Sequence, residues 1–154
     1  MVPHKLKETY RSTFEIAEYS NNVFYDGILR VATNEEGLKT PKGTKPGFHW
    51  TDVSGPVVSA GKSGCVSENE VEEIYKLVKS ILVDNNFKGT LGVVTPFRQQ
   101  QKRLHDRIYD SDIPFENLES AQFIAETAHN FQGDEKDVMI FSLCAGEGMP
   151  RGSL

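Results

Sequence analysis

An α/β fold is predicted by three features of the sequence. Residues 138 to 143 hold five apolar residues in six after a polar, glycine-broken stretch, TAHNFQGDEKD, the pattern of a functional loop on a strand that helices cover on both faces. Leu91 to Val94 form a second short apolar run, and Thr95-Pro96 then supply a helix cap and a first helical residue. Ser67 to Asp84 is a strongly periodic helix between loop segments. Strand, turn and helix in alternation predict a mainly parallel sheet flanked by helices.

Taken in order, residues 4 to 12 read as extended, and Ser12 or Thr13 can cap a helix over about 14 to 20. A turn follows at Asp26-Gly27, with Phe24, Tyr25, Ile28 and Leu29 expected in the core. Residues 34 to 47 contain three glycines, two prolines and three lysines, too little apolar surface to order strongly, so a mobile surface loop is expected. FHWTDV at 48 to 53 is an expected strand. Gly61-Lys62-Ser63 resembles the end of a P-loop, but Pro56 stands where that motif requires glycine.

In the 67–84 helix, Ser67 with Glu70 reads as a capping box. Val71, Ile74, Tyr75, Val78, Ile81 and Leu82 make the buried stripe, opposite a solvated face of Glu72, Glu73, Lys76 and Lys79. The next helix, from about Pro96 to Tyr109, buries Leu104 and Ile108 and carries Arg98, Lys102, Arg103 and Arg107, the most basic segment of the chain. Residues 110 to 120 read as a polar loop and Gln122 to Glu126 as a strand. Ligands of parallel sheets bind beyond the strands' carboxyl ends, which points to 95–100 and 127–135.

The chain's 154 residues fit one domain. Its net charge of −5 argues against a domain that coats nucleic acid, so a nucleic-acid contact requires a local patch such as 98–107. The two cysteines, Cys65 and Cys144, form no CxxC pair, and the four histidines lack metal-ligand spacing. No apolar run reaches membrane-spanning length and the N-terminus lacks a signal-peptide core, so a cytoplasmic or nuclear location is expected.

YRS at 10–12 with the downstream SNNVFYDGIL, GVVTPFRQQ at 92–100 and TAHNFQGDEKDVMIFSL at 127–143 resemble, in order and spacing, motifs of the second RecA-like domain of superfamily 1 DNA/RNA helicases. The resemblance extends to the group that includes the nonsense-mediated decay helicase. The resemblance spans nearly the whole chain and implies a RecA-like three-layer sandwich. It implies that Arg11 is the catalytic arginine finger, reaching the γ-phosphate of an ATP held with Mg2+ mainly by a first RecA-like domain of the same parent chain. Tyr10 is implied to stack on adenine, Gly133 and Glu135 to meet nucleotide backbone and ribose, and Gln132 to couple nucleotide to strand. Thr95, Arg98 and Thr127 are implied to hold single-stranded nucleic acid.

Departures accompany this resemblance. Neither Walker A nor Walker B occurs, and the family's next motif would begin after Leu154, so residues 1–154 are expected to be a domain excised from a larger enzyme and inactive alone. His129 stands where aspartate is frequent. The competing readings are a non-catalytic α/β module with degenerate helicase motifs that binds nucleic acid or protein, and a stand-alone nucleotide-binding protein.

Overall fold

A computed structural model describes residues 7–60, 64–131 and 135–149. It divides into two compact units, Met1–Leu38 with Gly43–Thr51, and Lys39–Lys42 with Asp52–Leu154.

In the first unit, strand β1 (Glu8–Thr9) pairs in parallel with β2 (Arg30–Val31) across helix α1 (Phe14–Phe24). The helix extends past the expected residue 20, and its closure rests on a polar group. The buried Asn21 amide donates to the Leu29 carbonyl (2.8 Å) and accepts the Leu29 N–H (2.9 Å), which ties the helix end to the approach to β2. Asp26 and Gly27 turn the chain with φ of 53° and 72°, a left-handed pair that asparagine, aspartate and glycine tolerate best. The core expected around this turn is mostly absent: Leu29 is buried, but Phe24, Tyr25 and Ile28 are exposed. Thr13 occupies the N-cap position without making a side-chain cap bond. No strand forms at 48–53. Phe48 is instead held by its N–H on the Glu15 carboxylate (3.2 Å), and Phe48 and Trp50 are both exposed. Alternating side chains make a strand only where another strand offers backbone partners. The 34–47 segment contains one 3-10 turn, Glu35–Gly37, closed by the Asn34 side chain on the Glu36 N–H.

The second unit begins with an antiparallel ribbon, β3 (Val58–Ser59) with β4 (Cys65–Val66). Helix α2 (Glu68–Lys79) follows and runs on through a π-helical turn, Ser80–Asp84. Then come β5 (Leu91–Thr95), α3 (Arg98–Tyr109), α4 (Phe115–Ser120), β6 (Ile124–Thr127) and β7 (Val138–Phe141). The sheet has the order β6-β5-β7 with both pairings parallel. The expected α/β class is therefore found, in a form consistent with a RecA-like fold. Among the described residues no helix is long and apolar enough to cross a membrane.

Every residue of β5 is buried, and the core against it joins Val71, Ile74, Val78, Ile81 and Leu82 of the 68–84 helical segment to Leu104 and Ile108 of α3 and Ala125 of β6. This is the apolar stripe the periodicity predicts. Three boundaries differ. Thr95 stays in β5, and α3 starts at Arg98 with Phe97 at its N-cap position. The segment 110–120 is not all loop, because α4 anchors Leu118 in the core. The β6 strand runs from Ile124 to Thr127, not from Gln122, whose φ of 45° breaks the extended run. β7 also departs from the doubly covered strand expected: Val138 and Ile140 pack on the core, while Met139 and Phe141 on its other face are exposed.

Charged side chains of α2 and α3 pair with one another on the exposed surface. Arg103 binds Glu68 through two nitrogens (2.8 and 2.7 Å), Arg107 pairs likewise with Glu72, and the Arg107 guanidinium lies 3.5 Å over the Tyr75 ring. The Arg107 hydrogen bond holds the Glu72 carboxyl below its usual range. Lys79 and the Tyr75 hydroxyl converge on Asp112, each at 2.6 Å.

Leu104 is fully buried. Leu104→Ala is expected to lower unfolding free energy by about 2–5 kcal/mol, the range for leucine cavities, with a reduced urea midpoint as the readout. A midpoint equal to wild type would contradict this packing.

Candidate nucleotide and nucleic-acid site

On the second unit, the carboxyl ends of β5 and β6 lie side by side. Their register places Thr95 opposite Thr127, and the Ala128 N–H continues the pairing onto the Thr95 carbonyl (3.2 Å). Beyond Thr127 the chain turns tightly, with the Asn130 and Phe131 N–H groups both donating to the Thr127 carbonyl (3.0 Å each). The Glu126 carboxylate secures this turn by accepting from Asn130 Nδ2 (3.0 Å) and from the Thr127 N–H (3.3 Å). The Phe131 ring then settles on Gly92 of β5, where a β-carbon would lie 2.7 Å from its ring edge. Glycine is required there by close approach, not by backbone angle.

From the other strand, Pro96 and Phe97 lead into α3, and Arg98 opens its first turn. Pro96, Arg98, Thr127, Ala128 and His129 line an open cleft of about 390 Å³. Arg98 and His129 are exposed, whereas Thr95 and Thr127 are 0% and 8% exposed. The Thr95 hydroxyl accepts the Phe97 N–H (3.4 Å). It therefore faces the turn from beneath, and the cleft surface belongs to Arg98 and the 127–129 turn.

The first unit carries Tyr10 and Arg11, both exposed. The Tyr10 hydroxyl donates to Glu8 Oε2 (2.6 Å), and that hydrogen bond, with the carboxylate's charge, raises its pKa. The ring remains 67% exposed and can stack on a planar base. Gln132 and Gly133 lie outside the described residues. Glu135 is exposed, two residues before Asp137. Asp137 locks β7 to β5: its carboxylate accepts from the Thr90 N–H (2.7 Å) and hydroxyl (3.0 Å), and its N–H donates to Thr90 Oγ1 (2.9 Å).

One group beside the site escaped the sequence reading. Gln100 is fully buried. Its Oε1 accepts the Ser67 N–H (2.9 Å), and its Nε2 donates to Ser142 Oγ (3.0 Å) and the Ser67 carbonyl (3.4 Å). Ser142 Oγ donates to Glu70 Oε2 (2.7 Å), which also accepts the Cys144 N–H (3.1 Å). The capping box is thus half formed. Ser67 Oγ accepts the Glu70 N–H (3.3 Å), but Gln100 takes the Ser67 N–H and Glu70 reaches across to the segment after β7. The available signal was spacing, since positions 100, 104 and 108 continue one helical stripe. This network joins the amino ends of α2 and α3 to the exit of β7.

Cys65 and Cys144 are free thiols buried in one cluster with Val57 and Phe97. Burial, reinforced by the Glu70 carboxylate and by Cys65, pushes the Cys144 thiol up to about 12. Since the thiolate is the reactive form, the native chain is expected to resist iodoacetamide at pH 8, and both thiols to react in urea. Rapid native labelling of Cys144, read by mass spectrometry, would contradict the burial.

A parallel sheet flanked by helices, with exposed polar loops at its carboxyl ends, is an α/β domain consistent with a RecA-like fold. Residues 1–149 match the family described as AAA domain, and the chain belongs to that family. It is 29% identical over 149 residues to Regulator of nonsense transcripts 1 of Caenorhabditis elegans, covering 90% of this chain and 14% of the relative. It is 28% identical to Helicase sen1 of Schizosaccharomyces pombe, covering 86% and 8%, and 26% identical to ATP-dependent helicase upf1 of the same yeast, covering 91% and 16%. These similarities support the superfamily 1 helicase-domain resemblance. The chain spans less than a fifth of the length of each of these three relatives.

Proposed function

We propose that this chain is the second RecA-like motor domain of an ATP-dependent superfamily 1 helicase. The observation that carries the reading is the adjacency of two loops at the carboxyl ends of paired strands: Thr95 to Arg98, and Thr127 to His129. Both belong to segments that resemble helicase motifs, and one continues directly into the QG segment. The cleft offers the Arg98 cation, a group suited to a single-stranded phosphate backbone.

ATP binding also finds support on the first unit. The exposed Tyr10 ring suits a purine, and Arg11 suits a phosphate. On the family resemblance, Mg2+ and the phosphate cradle belong to a first RecA-like domain of the same parent chain. ATP supplies the free energy of phosphoryl transfer. This chain's part is to present Arg11 to the charge developing at the γ-phosphate and to present Arg98 and the 127–129 turn to the strand. A cytoplasmic or nuclear location fits this role.

The test is Arg11→Ala in the full-length parent. A fall in single-strand-stimulated ATPase of about 10³-fold or more is expected, as for arginine fingers generally. Activity near wild type removes the finger assignment. The rival reading, a non-catalytic binding module, predicts a parent without Walker A and B sequences.

A further inference from the structure

We infer that Phe48 and Trp50, with Lys45, form a second contact for single-stranded nucleic acid, in which the two rings stack on bases and the lysine meets the adjoining phosphate. The inference goes beyond the cleft reading above. These residues belong to the first unit and to none of the segments that carry the helicase resemblance.

Composition is the first observation. Between Leu38 and Thr51 the chain holds three lysines and no aspartate or glutamate, in a protein of net charge −5. Aromatic rings interleaved with cations are the makings of a single-strand platform.

The fold braces the backbone of this stretch and leaves its rings outside. The Phe48 N–H donates to Glu15 Oε2 (3.2 Å), and His49 Nε2 donates to the Lys45 carbonyl (2.9 Å). Gly47 takes a φ of 136°, and a β-carbon there would collide with the Glu15 carboxylate, so the chain passes close to α1 just before the rings. Phe48 and Trp50 nevertheless stay 65% and 68% exposed, with ring centroids 6.3 Å apart and planes inclined by 36°. A single exposed aromatic is ordinary surface, but two neighbouring rings on a fixed backbone present a continuous π-face.

Charge selects the occupant. Among the described residues Lys45 forms no ion pair, whereas Arg30 of the same unit is held by Glu8, and Arg103 and Arg107 by Glu68 and Glu72. The Glu15 carboxylate is engaged by the Phe48 N–H. A cation beside two π-faces matches an anion that carries planar rings. Every base has such a face, so the contact should tolerate any sequence, and loss of one ring should weaken binding about tenfold.

Trp50 is the only tryptophan of the chain, so its fluorescence reports the contact directly. The test titrates the 154-residue chain with a T10 oligonucleotide, an abasic deoxyribose-phosphate strand of equal charge, thymidine monophosphate and a proline decamer, with T10 affinity read separately by fluorescein anisotropy. T10 is expected to quench Trp50 and the other three to leave it unchanged. Phe48→Ala should weaken T10 binding about tenfold, and Lys45→Gln should flatten its salt dependence by about 0.7 in log K against log salt. Both side chains are exposed, so neither change opens a cavity. Equal quenching by the abasic strand reduces the contact to charge and overturns the stacking. Equal quenching by the mononucleotide or by the proline decamer replaces the strand with a small ligand or a protein partner and overturns the inference as well. If T10 binds in an Arg98-dependent way without quenching Trp50, the inference is wrong and the cleft reading stands. If T10 quenches Trp50 while Arg98→Ala leaves its affinity unchanged, the inference holds and the cleft reading fails.

Discussion

The position of β5 between two parallel partners governs the second unit. All five of its residues are buried, and its backbone groups are satisfied mainly by β6 on one side and β7 on the other, with Ala121, Ala128 and Ser142 completing the ladder at its ends. A buried strand left without such partners would carry the full desolvation cost of each unpaired amide. Register follows from this requirement, and register is what sets Thr95 against Thr127. The Thr90 and Asp137 exchange of three hydrogen bonds fixes the opposite end of the strand. The loops at the carboxyl ends therefore hang on a strand that is clamped at its start.

The buried amide of Gln100 adds a different kind of constraint. Apolar packing tolerates small sliding, but a fully buried Gln whose oxygen and nitrogen are both engaged tolerates little, because any displacement leaves a buried polar group unpaired. Gln100 lies two residues after Arg98, on the inner face of the same helix. Through Ser142 and Glu70 it is linked to the exit of β7, the strand that continues the QG segment. The segment that follows β7 and the amino end of α3 are thereby joined through one polar core.

Elements with a regular apolar period were legible in the sequence, and elements defined by a partner were not. The 68–84 stripe and the Leu104 and Ile108 pair follow from helical spacing, and β5 from an unbroken apolar run. The six residues of α4 hold two apolar residues, Phe115 and Leu118, of which only Leu118 is buried, and two positions are too few to establish a period. FHWTDV alternates like a strand yet finds no strand beside it, while Phe24, Tyr25 and Ile28 show that apolar composition does not state which way a side chain points. The same holds for β7, whose two faces are equally apolar but differ in cover. At the candidate site, motif resemblance pointed to Thr95, Arg98 and Thr127. Their depth, with the threonines buried and the arginine exposed, depends on register and helix start. Ser67 and Glu70 form a motif that was correctly seen and wrongly partnered, because a glutamine from a distant segment competes for the same N–H.

The bare backbone at Gly92 has a consequence for the turn above it. The residue touches no ligand, yet the absence of its side chain decides where Phe131 rests and hence the height at which the 127–131 turn stands above the sheet. Any larger residue would lift the ring and, with it, the turn that carries His129. Position 92 therefore behaves as a shim, a spacing part whose thickness sets the fit of the ring and turn above it.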